Sequence, residues 1–307
     1  LIENIAPLSN LASLEYLVLS DNRVSDISSL GNLTEIGLLF LDDNMIENIA
    51  PLSNLSSLRG LLLGDNWISD ISPLGNLTGM MLLFLNYNLI SDIEPLSNMD
   101  SLQWLDLSIN GIGNISALSA LTDLTALDLG YNQLVDITST ANLTNLEWLD
   151  LSANDIGNIS ALSALTNLTA LKLEDNQISD LTPLTNLSML EGLDLSANDI
   201  SDVAPLSTLT NLIDLDLGCN YMSDLDFQLD ILWGLELQDM ASQILEDGFA
   251  SGLAGLSDLG LTSNLTNRIE RILEDNQKAS KDNPKADITS LPDFTNPTER
   301  HSGYKKT

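Results

Sequence analysis

Residue types that support catalysis or metal binding are scarce in this sequence. Its 307 residues include one cysteine, Cys219, and one histidine, His301. A single cysteine excludes an internal disulfide framework and a cysteine-based metal site. The sequence also has no nucleophile, base and orienter set, no glycine-rich phosphate loop and no metal-ligand spacing. It therefore predicts a protein that is not an enzyme and that carries no cofactor.

Basic residues are scarce as well. Eleven lysines and arginines stand against 44 aspartates and glutamates, which gives a formal net charge of −33 at pH 7. Residues 1–240 hold 34 of the acidic residues but only three of the basic ones, Arg23, Arg59 and Lys172. So acidic a chain is a poor ligand for nucleic acid or for an anionic membrane. A partner recruited through charge should be basic.

Long apolar runs are missing too. Hydrophobic residues make up 44% of the chain, too many for a disordered protein, yet no run approaches the roughly 18 residues needed to cross a bilayer. The sequence starts at Leu1 in the middle of a repeat, without a basic stretch followed by an apolar core. We expect no membrane insertion, and a signal sequence would lie upstream of Leu1.

The dominant feature that is present is a 22-residue repeat. One asparagine recurs every 22 residues without insertion or deletion. These asparagines are Asn22, Asn44, Asn66, Asn88, Asn110, Asn132, Asn154, Asn176, Asn198 and Asn220. Apolar residues lie eight, five and three positions before each of them, as Leu102, Leu105 and Leu107 do before Asn110. This LxxLxLxxN spacing is that of a leucine-rich repeat.

The spacing predicts one short strand in each repeat. Positions −5 and −3, counted from the asparagine, alternate with period two, so their side chains should point inward and those between them outward. A second apolar set at +2, +5 and +8, such as Ile68, Ile71 and Leu74, should fold back onto the same core. Because one repeat cannot bury both sets, neighbouring repeats should stack and their strands form one parallel sheet. The asparagine should bond backbone groups of adjacent turns.

The return segment of each repeat is too short for a full helix. Proline is frequent at +7, as at Pro51 and Pro73, and favours a 3₁₀ turn or an extended segment. Aspartate or asparagine at +4, as at Asp26 and Asn48, is predicted to hydrogen-bond the local backbone of a turn. The predicted fold is an α/β solenoid: a right-handed arc with a parallel β-sheet on its concave face and 3₁₀ or extended segments on its convex face.

The repeats divide the chain into three predicted parts. Residues 1–225 are regular repeats, and the array begins in mid-repeat. Residues 226–264 are interpreted as two degenerate terminal repeats, since the last coil must show a polar end to water. Residues 265–307 are predicted to contain a short capping helix followed by a polar, disordered tail.

The repeat sequences resemble those of the internalins. The segments DNWISDISPLGNLTGM (65–80) and DNQISDLTPLTNLSML (175–190) are similar to the 22-residue repeats of these bacterial surface proteins, which grip host receptors with the concave face of an arc. The resemblance covers residues 1 to about 225. It implies a secreted or surface-displayed protein that binds another protein. The chain shows neither the helical cap that precedes internalin repeats nor the immunoglobulin-like domain that follows them, and LPDFT (291–295) lacks the Thr-Gly pair of a cell-wall sorting signal.

The outward positions of the strands are the candidate binding surface. The column at −4 changes from apolar to acidic in mid-array: Val18, Phe40, Leu62, Phe84, Asp106, Asp128, Asp150, Lys172, Asp194 and Asp216. The column at −6 and the flanking columns add Tyr16, Leu38, Leu82, Trp104, Trp148, Met81 and Tyr87. Contiguous apolar patches and aromatic anchors are typical of protein interfaces. All of these residues except Lys172 and Met81 are predicted to contact the partner.

Each half of this surface also has a plainer interpretation. The apolar residues could simply be strand formers on a poorly wetted surface, and the acidic ladder could be a solvated face of a salt-adapted protein. The acidic ladder could also hold Ca²⁺, although a flat ladder offers fewer converging oxygens than the 6 to 8 that this ion prefers, and no DxDxDG loop is present.

Three functional hypotheses remain open at this level. The first is a monomeric, exported bacterial module that recognises a protein partner, either a basic protein or a host receptor, through its concave face. The second is an intracellular regulatory or scaffold subunit resembling the SDS22-type phosphatase regulators. The third is a structural spacer of a surface protein, without a dedicated partner.

Overall fold

The chain folds as a stack of short coils, seen in a computed structural model that describes residues 1–221. Each coil contains one three-residue strand and one 3₁₀ turn. The strands are β1 (Tyr16–Val18), β2 (Leu38–Phe40), β3 (Gly60–Leu62), β4 (Leu82–Phe84), β5 (Trp104–Asp106), β6 (Ala126–Asp128), β7 (Trp148–Asp150), β8 (Ala170–Lys172), β9 (Gly192–Asp194) and β10 (Asp214–Asp216). The 3₁₀ turns span Ala6–Asn10, Ser28–Leu30, Ala50–Asn54, Ser72–Leu74, Glu94–Leu96, Ser116–Ala120, Thr138–Asn142, Ser160–Ala164, Thr182–Leu184 and Ala204–Thr208.

The ten strands form one parallel sheet in sequence order, from β1 to β10, without closing on itself. Every strand pairs with the next in the same register, so each residue lies beside the residue 22 positions later, as Leu17 lies beside Leu39 and Leu39 beside Leu61. A repeat column in the sequence is therefore a physical row of side chains across the sheet. The predicted solenoid with a parallel sheet and 3₁₀ return segments is confirmed.

The core is a single apolar cluster that runs through the stack. Leucines at −5 and −3, such as Leu61 and Leu63, have no exposed surface. The +2, +5 and +8 residues meet them from the opposite side, as Ile68, Ile71 and Leu74 do. Full burial of one such side chain contributes about 1.5 to 3 kcal/mol, so every repeat adds several of these increments to the stability of its neighbours.

A ladder of asparagine side chains links successive repeats. The Asn66 amide nitrogen donates to the carbonyl of Leu63 in its own repeat and to that of Leu41 in the preceding repeat, at 3.1 and 3.0 Å. Its amide oxygen accepts the N–H of Ile46, also in the preceding repeat, at 2.9 Å. Asn66 is 4% exposed. The predicted role of the asparagine is confirmed, since the same bonds recur at Asn44, Asn88 and further along the array.

The turn residues at +4 fix the start of each 3₁₀ turn. The Asp26 carboxylate accepts the N–H of Ser28 at 2.9 Å, and the side-chain oxygen of Asn48 accepts that of Ala50 at the same distance. This bond lowers the pKa of the Asp26 carboxyl, because it stabilises the charged form. The carboxylates at this position thus have the local turn role that the sequence predicts.

A left-handed residue precedes every ladder asparagine, which the sequence analysis did not anticipate. Ten residues at position −1 have φ between 51° and 57°: Asp21, Asp43, Asp65, Tyr87, Ile109, Tyr131, Ala153, Asp175, Ala197 and Cys219. Not one of them is glycine. The conformation is most strained at Ile109, since a β-branched side chain is a genuine outlier at positive φ.

The three predicted parts of the chain are only partly represented. Regular repeats extend through the described residues, up to Tyr221. The proposed terminal repeats at 226–264 and the proposed capping helix and tail at 265–307 lie outside the described residues and stay predictions.

Replacing Asn66 with alanine should destabilise the array strongly. The variant leaves the buried Ile46 N–H without its acceptor, whereas the Leu41 carbonyl keeps the Asn44 amide as a donor. We expect the free energy of unfolding to fall by about 1 to 3 kcal/mol, since an abandoned buried donor costs about that much. Urea denaturation followed by circular dichroism measures the change. The matched control is Asn54→Ala in an exposed turn position, and equal stability of the two variants would contradict a structural role for the ladder.

Replacing Ile109 with asparagine should stabilise the protein. Asparagine tolerates the left-handed region, which costs an ordinary L-residue about 1 to 2 kcal/mol. We expect a gain of about 1 kcal/mol in the free energy of unfolding, measured by the same method. Ala197→Asn, at φ 52°, serves as the comparison and should gain less, because alanine carries no branched side chain. A larger gain at Ala197 than at Ile109 would argue against strain as the cause.

Candidate functional site

Two rows of side chains cross the outward face of the sheet. Positions −6 and −4 are the first and third residues of every strand, and they lie on the face opposite the buried leucines. The −4 row changes character between β4 and β5, where Phe84 pairs with Asp106. The apolar end and the acidic end predicted from the sequence are thus adjacent parts of one continuous face.

The predicted partner-binding residues differ in how much surface they offer. Five of them are buried: Phe40, Leu62, Leu82, Trp104 and Asp150. Nine are half-buried: Tyr16, Leu38, Phe84, Tyr87, Asp106, Asp128, Trp148, Asp194 and Asp216. Val18 is exposed. Their role in binding stays a prediction, and Tyr87 lies beyond the strand at position −1 rather than in the two rows.

The apolar end is buried by contacts between neighbouring strands. The rings of Tyr16 and Phe40 meet edge to face with centroids 5.4 Å apart, and those of Phe84 and Trp104 are tilted with centroids 5.2 Å apart. Both are favourable aromatic arrangements. Phe40 is only 4% exposed and Trp104 only 8%. A partner would therefore meet a flat, closely packed apolar layer rather than projecting anchors.

Gly60 allows this layer to close. It is the one glycine in the −6 row between β1 and β5, and a Cβ there would lie 2.7 Å from Cδ2 of Leu38. The Leu38 side chain therefore occupies the space that a side chain at Gly60, in the next strand, would need. The sequence shows the glycine but not which neighbour fills the space, so the burial of this region could not be predicted from the column alone.

The acidic row consists of the −4 aspartates Asp106, Asp128, Asp150, Asp194 and Asp216. Each of them is the last residue of its strand and accepts a backbone N–H from the segment that follows. The Asp128 Oδ1 accepts the N–H of Gly130 at 3.0 Å, and that of Asp194 accepts the N–H of Ser196 at 3.0 Å. Asp106, Asp150 and Asp216 make the same bond two residues ahead. One carboxylate oxygen of each residue is thus used within the fold. The row has a structural role that the sequence analysis missed.

The acidic row is electrostatically unfavourable at neutral pH. Burial, followed by repulsion from Asp106 and Asp150, raises the pKa of the Asp128 carboxyl well above its usual value. Burial also raises the pKa values of Asp194 and Asp214, where repulsion from Asp216 adds to the effect. These carboxylates lack sufficient positive charge nearby, so a cation brought to the row would be stabilised.

Lys172 supplies the one internal cation of the row, within residues 1–221. Its Nζ lies 3.3 Å from Oδ2 of Asp150 and 5.8 Å from the centroid of the Trp148 ring. Burial alone would lower the pKa of Lys172, but the carboxylates of Asp150 and Asp128 outweigh it and raise the pKa. Lys172 is therefore charged, and it shows how an ammonium group is held between a carboxylate and an indole ring.

A second carboxylate cluster borders the apolar end at position −1. Burial raises the pKa of the Asp43 carboxyl to about 7, and a side-chain hydrogen bond with Asp65 adds to the shift. The charges of Asp65, Asp21 and Asp42 act in the same direction. The sequence signal was an aspartate at position −1 in three consecutive repeats. This position lies after the strand, so the strand alternation does not include it.

An exposed apolar stripe was also missed. Met45, Trp67 and Leu89 occupy position +1 in three consecutive repeats and are 43%, 54% and 66% exposed. Reading the +1 column down the repeats would have shown it. The stripe lies beside the sheet, directly after the ladder asparagines, and not on the face formed by the two strand rows.

Neither a metal cluster nor a membrane helix is found in the part of the chain that the structure describes. No group of three or more histidine, cysteine, aspartate or glutamate side chains there is arranged to hold a metal ion. The absence of a cofactor stays a prediction, with Ca²⁺ on the acidic row as its lesser alternative. No helix among residues 1–221 combines the length and hydropathy needed to cross a bilayer.

Replacing Asp43 with asparagine should change how stability depends on pH. The folded pKa of about 7 lies above the usual value near 3.9, so the folded state binds more protons than the unfolded chain. The free energy of unfolding should therefore decrease as pH rises from about 4 to 7. Asp43→Asn removes this loss and should be more stable than the wild type at pH 7.5, with the difference vanishing near pH 4.

Thermal denaturation at a series of pH values measures this effect. The matched control is Asp26→Asn, because the pKa of Asp26 is lowered and its contribution therefore has the opposite sign. This control should not gain stability at pH 7.5. A wild type whose stability is the same relative to Asp43→Asn at pH 4 and pH 7.5 would disprove the raised pKa.

Comparison with known proteins identifies the repeat class. The family model of leucine-rich repeats, in two-copy units, matches residues 100–142, 144–186 and 188–229. No curated protein sequence gives a significant match. Among solved structures, the plant peptide hormone receptor RGFR1 in complex with RGF2 is 27% identical with a TM-score of 0.61, over 72% of this chain and 42% of that one.

Two bacterial structures are more similar in sequence. An internalin (inlF) from Listeria monocytogenes is 37% identical with a TM-score of 0.71, over 73% of this chain and 66% of that one. An internalin C2 (inlC2) from the same species is 31% identical with a TM-score of 0.55, over 67% of this chain and 82% of that one. The chain thus spans just under two thirds of the length of the first structure. With the repeat pattern, the sheet register and these similarities together, the chain belongs to the internalin family of leucine-rich repeat proteins.

Proposed function

We propose that this chain is a recognition module, without enzymatic activity, that binds a protein partner through the outward face of its sheet. We further propose that it acts outside a bacterial cell, either secreted or displayed on the surface. The observation that carries the proposal is the acidic row, where Asp128 and Asp194, two carboxylates with raised pKa values, lie near one cation, Lys172. A basic partner would supply the missing positive charge.

Lys172 serves as an internal example of the proposed contact. Its ammonium group sits between the Asp150 carboxylate and the Trp148 ring. A lysine or arginine of the partner would be held in the same way beside Asp128 or Asp194. Such charge complementarity accelerates association and weakens as salt is added.

The apolar end of the face would contribute contact area. Its packed layer leaves Tyr16, Phe84 and Tyr87 partly exposed. Flat aromatic surfaces lose little conformational entropy on binding, because their rings are already fixed by neighbours. Phe40 and Trp104 support this layer from within, so their removal would disturb the layer as well as the contact.

The lack of an enzymatic role is supported by the origin of the carboxylates. Acidic side chains recur because the repeat recurs, and the strand aspartates and the +4 aspartates both accept a backbone N–H two residues ahead. The family supports extracellular action and protein binding, since internalins from Listeria monocytogenes share this fold and a plant receptor of similar fold was solved with its peptide hormone.

Reversing charge on the acidic row should abolish partner capture. The face variant carries Asp194→Lys and Asp216→Lys. The matched control carries Asp136→Lys and Asp180→Lys, which make the same charge change and lose the same kind of backbone bond on the opposite side of the coil. Each protein, comprising residues 1–307, is immobilised, and captured proteins are compared by quantitative mass spectrometry at two salt concentrations.

We expect a partner that wild type and control retain and that the face variant loses, with weaker capture at high salt. Circular dichroism checks that all three proteins are folded. Adding Phe84→Ala to the wild type tests the apolar end separately, because Phe84 is half-buried and contributes surface. Capture profiles that are the same for the face variant and the control would overturn the proposal.

A further inference from the structure

The exposed stripe of Met45, Trp67 and Leu89 is a second surface that neither the core nor the proposed binding face uses. The three side chains are 43%, 54% and 66% exposed, although each is large and apolar. Scattered exposed apolar residues are ordinary, but three in one column on consecutive repeats form a continuous patch. The column continues with Gly111, Gln133, Asp155, Gln177 and Asp199, so the patch ends after Leu89.

The backbone beneath the stripe is held on both sides. The N–H groups of Met45, Trp67 and Leu89 donate to carbonyls of the preceding repeat, each at 2.9 Å. The residue after each of them donates its own N–H to the asparagine of the next repeat, as Ile68 does to Asn88 at 2.9 Å. The backbone of the stripe is therefore already fixed, so binding does not have to order it.

Acidic residues border the stripe on both sides. Asp43 and Asp65 lie two positions before Met45 and Trp67, at −1. Glu47, Asp70 and Asp92 lie two or three positions after the stripe residues and are exposed. An apolar patch between two acidic borders complements a segment with an apolar face and basic residues on either side of it. The same borders repel an anionic membrane and a second copy of this acidic chain.

The spacing of the repeats fits a helix. Neighbouring strands lie about 4.8 Å apart, so the three stripe residues extend over about 10 Å along the stack. Two turns of an α-helix rise about 11 Å and place side chains of one face about 5 to 6 Å apart. A helix lying along the stack would thus set one apolar side chain over each stripe residue, with Trp67 at the centre as the anchor.

We propose that the stripe docks a basic amphipathic helix of another protein. This site is separate from the sheet face and does not depend on the function proposed for that face. The basic residues of the bound helix would approach the carboxylates at −1, +3 and +4. The apolar residues of the helix would cover Met45, Trp67 and Leu89.

The probe for this proposal is a synthetic peptide of leucine and lysine patterned as an amphipathic helix. Its control is a peptide of the same composition in which the leucines are scattered around the helix. Binding to the 307-residue chain is measured by isothermal titration calorimetry. We expect the patterned peptide to bind, the scattered peptide to bind at least about tenfold more weakly, and the affinity to decrease with salt.

Trp67→Ser combined with Leu89→Ser should lower the affinity for the patterned peptide about tenfold or more, since removing a central aromatic anchor has effects of this size. The matched control combines Met189→Ser and Ile213→Ser, which are 51% and 60% exposed away from the stripe, and should bind as the wild type does. Phe84→Ala should also bind as the wild type does, which separates this site from the sheet face.

Three results would overturn the proposal. The first is equal binding of the patterned and scattered peptides, which would mean attraction by charge alone. The second is equal binding by the stripe variant and its control. The third is a dimer of the wild type in sedimentation that the stripe variant dissociates, because a second copy would then be the occupant.

Discussion

The buried amide of one asparagine per repeat is the interaction on which the stack depends. A coil of 22 residues with only three in a strand leaves many backbone groups without a regular partner. The asparagine satisfies groups of two repeats at once, through an acceptor for the preceding coil and a donor for both. It thereby sets the distance between coils and keeps every repeat at one length. The leucines can then meet at the same depth in each coil.

Constant register turns sequence columns into surfaces with distinct properties. Positions that serve the core or the ladder hardly vary along the array, while the strand rows and the +1 column vary freely. The apolar layer, the acidic row and the exposed stripe are therefore independent of the frame that carries them. The same frame also limits them, since the strand aspartates cap the backbone and Phe40 is enclosed by its neighbours. These outward side chains therefore serve both the surface and the fold.

Much of the fold follows from the sequence, because it rests on repeated local rules. The inward leucines, the asparagine ladder, the turn role of Asp26 and the parallel sheet were all predictable from spacing. The burial of Phe40 and Trp104 was not, because it depends on which neighbouring ring or gap each side chain meets. The positive φ at Ile109 has no residue-type signal, since glycine is absent there. The raised pKa of Asp43 needs the distances to Asp65 and Asp42, and a column of letters does not contain them.

The short reach of the asparagine bonds also bears on how such a chain folds. Within residues 1–221, no bond of the ladder joins residues more than 25 positions apart, and strand partners are 22 apart. Closing loops of this size is entropically cheap, and it is the same small step at every repeat. We expect folding to start wherever two adjacent coils first meet and to extend from there in both directions along the array. The two ends of the described array then never need to find each other during folding.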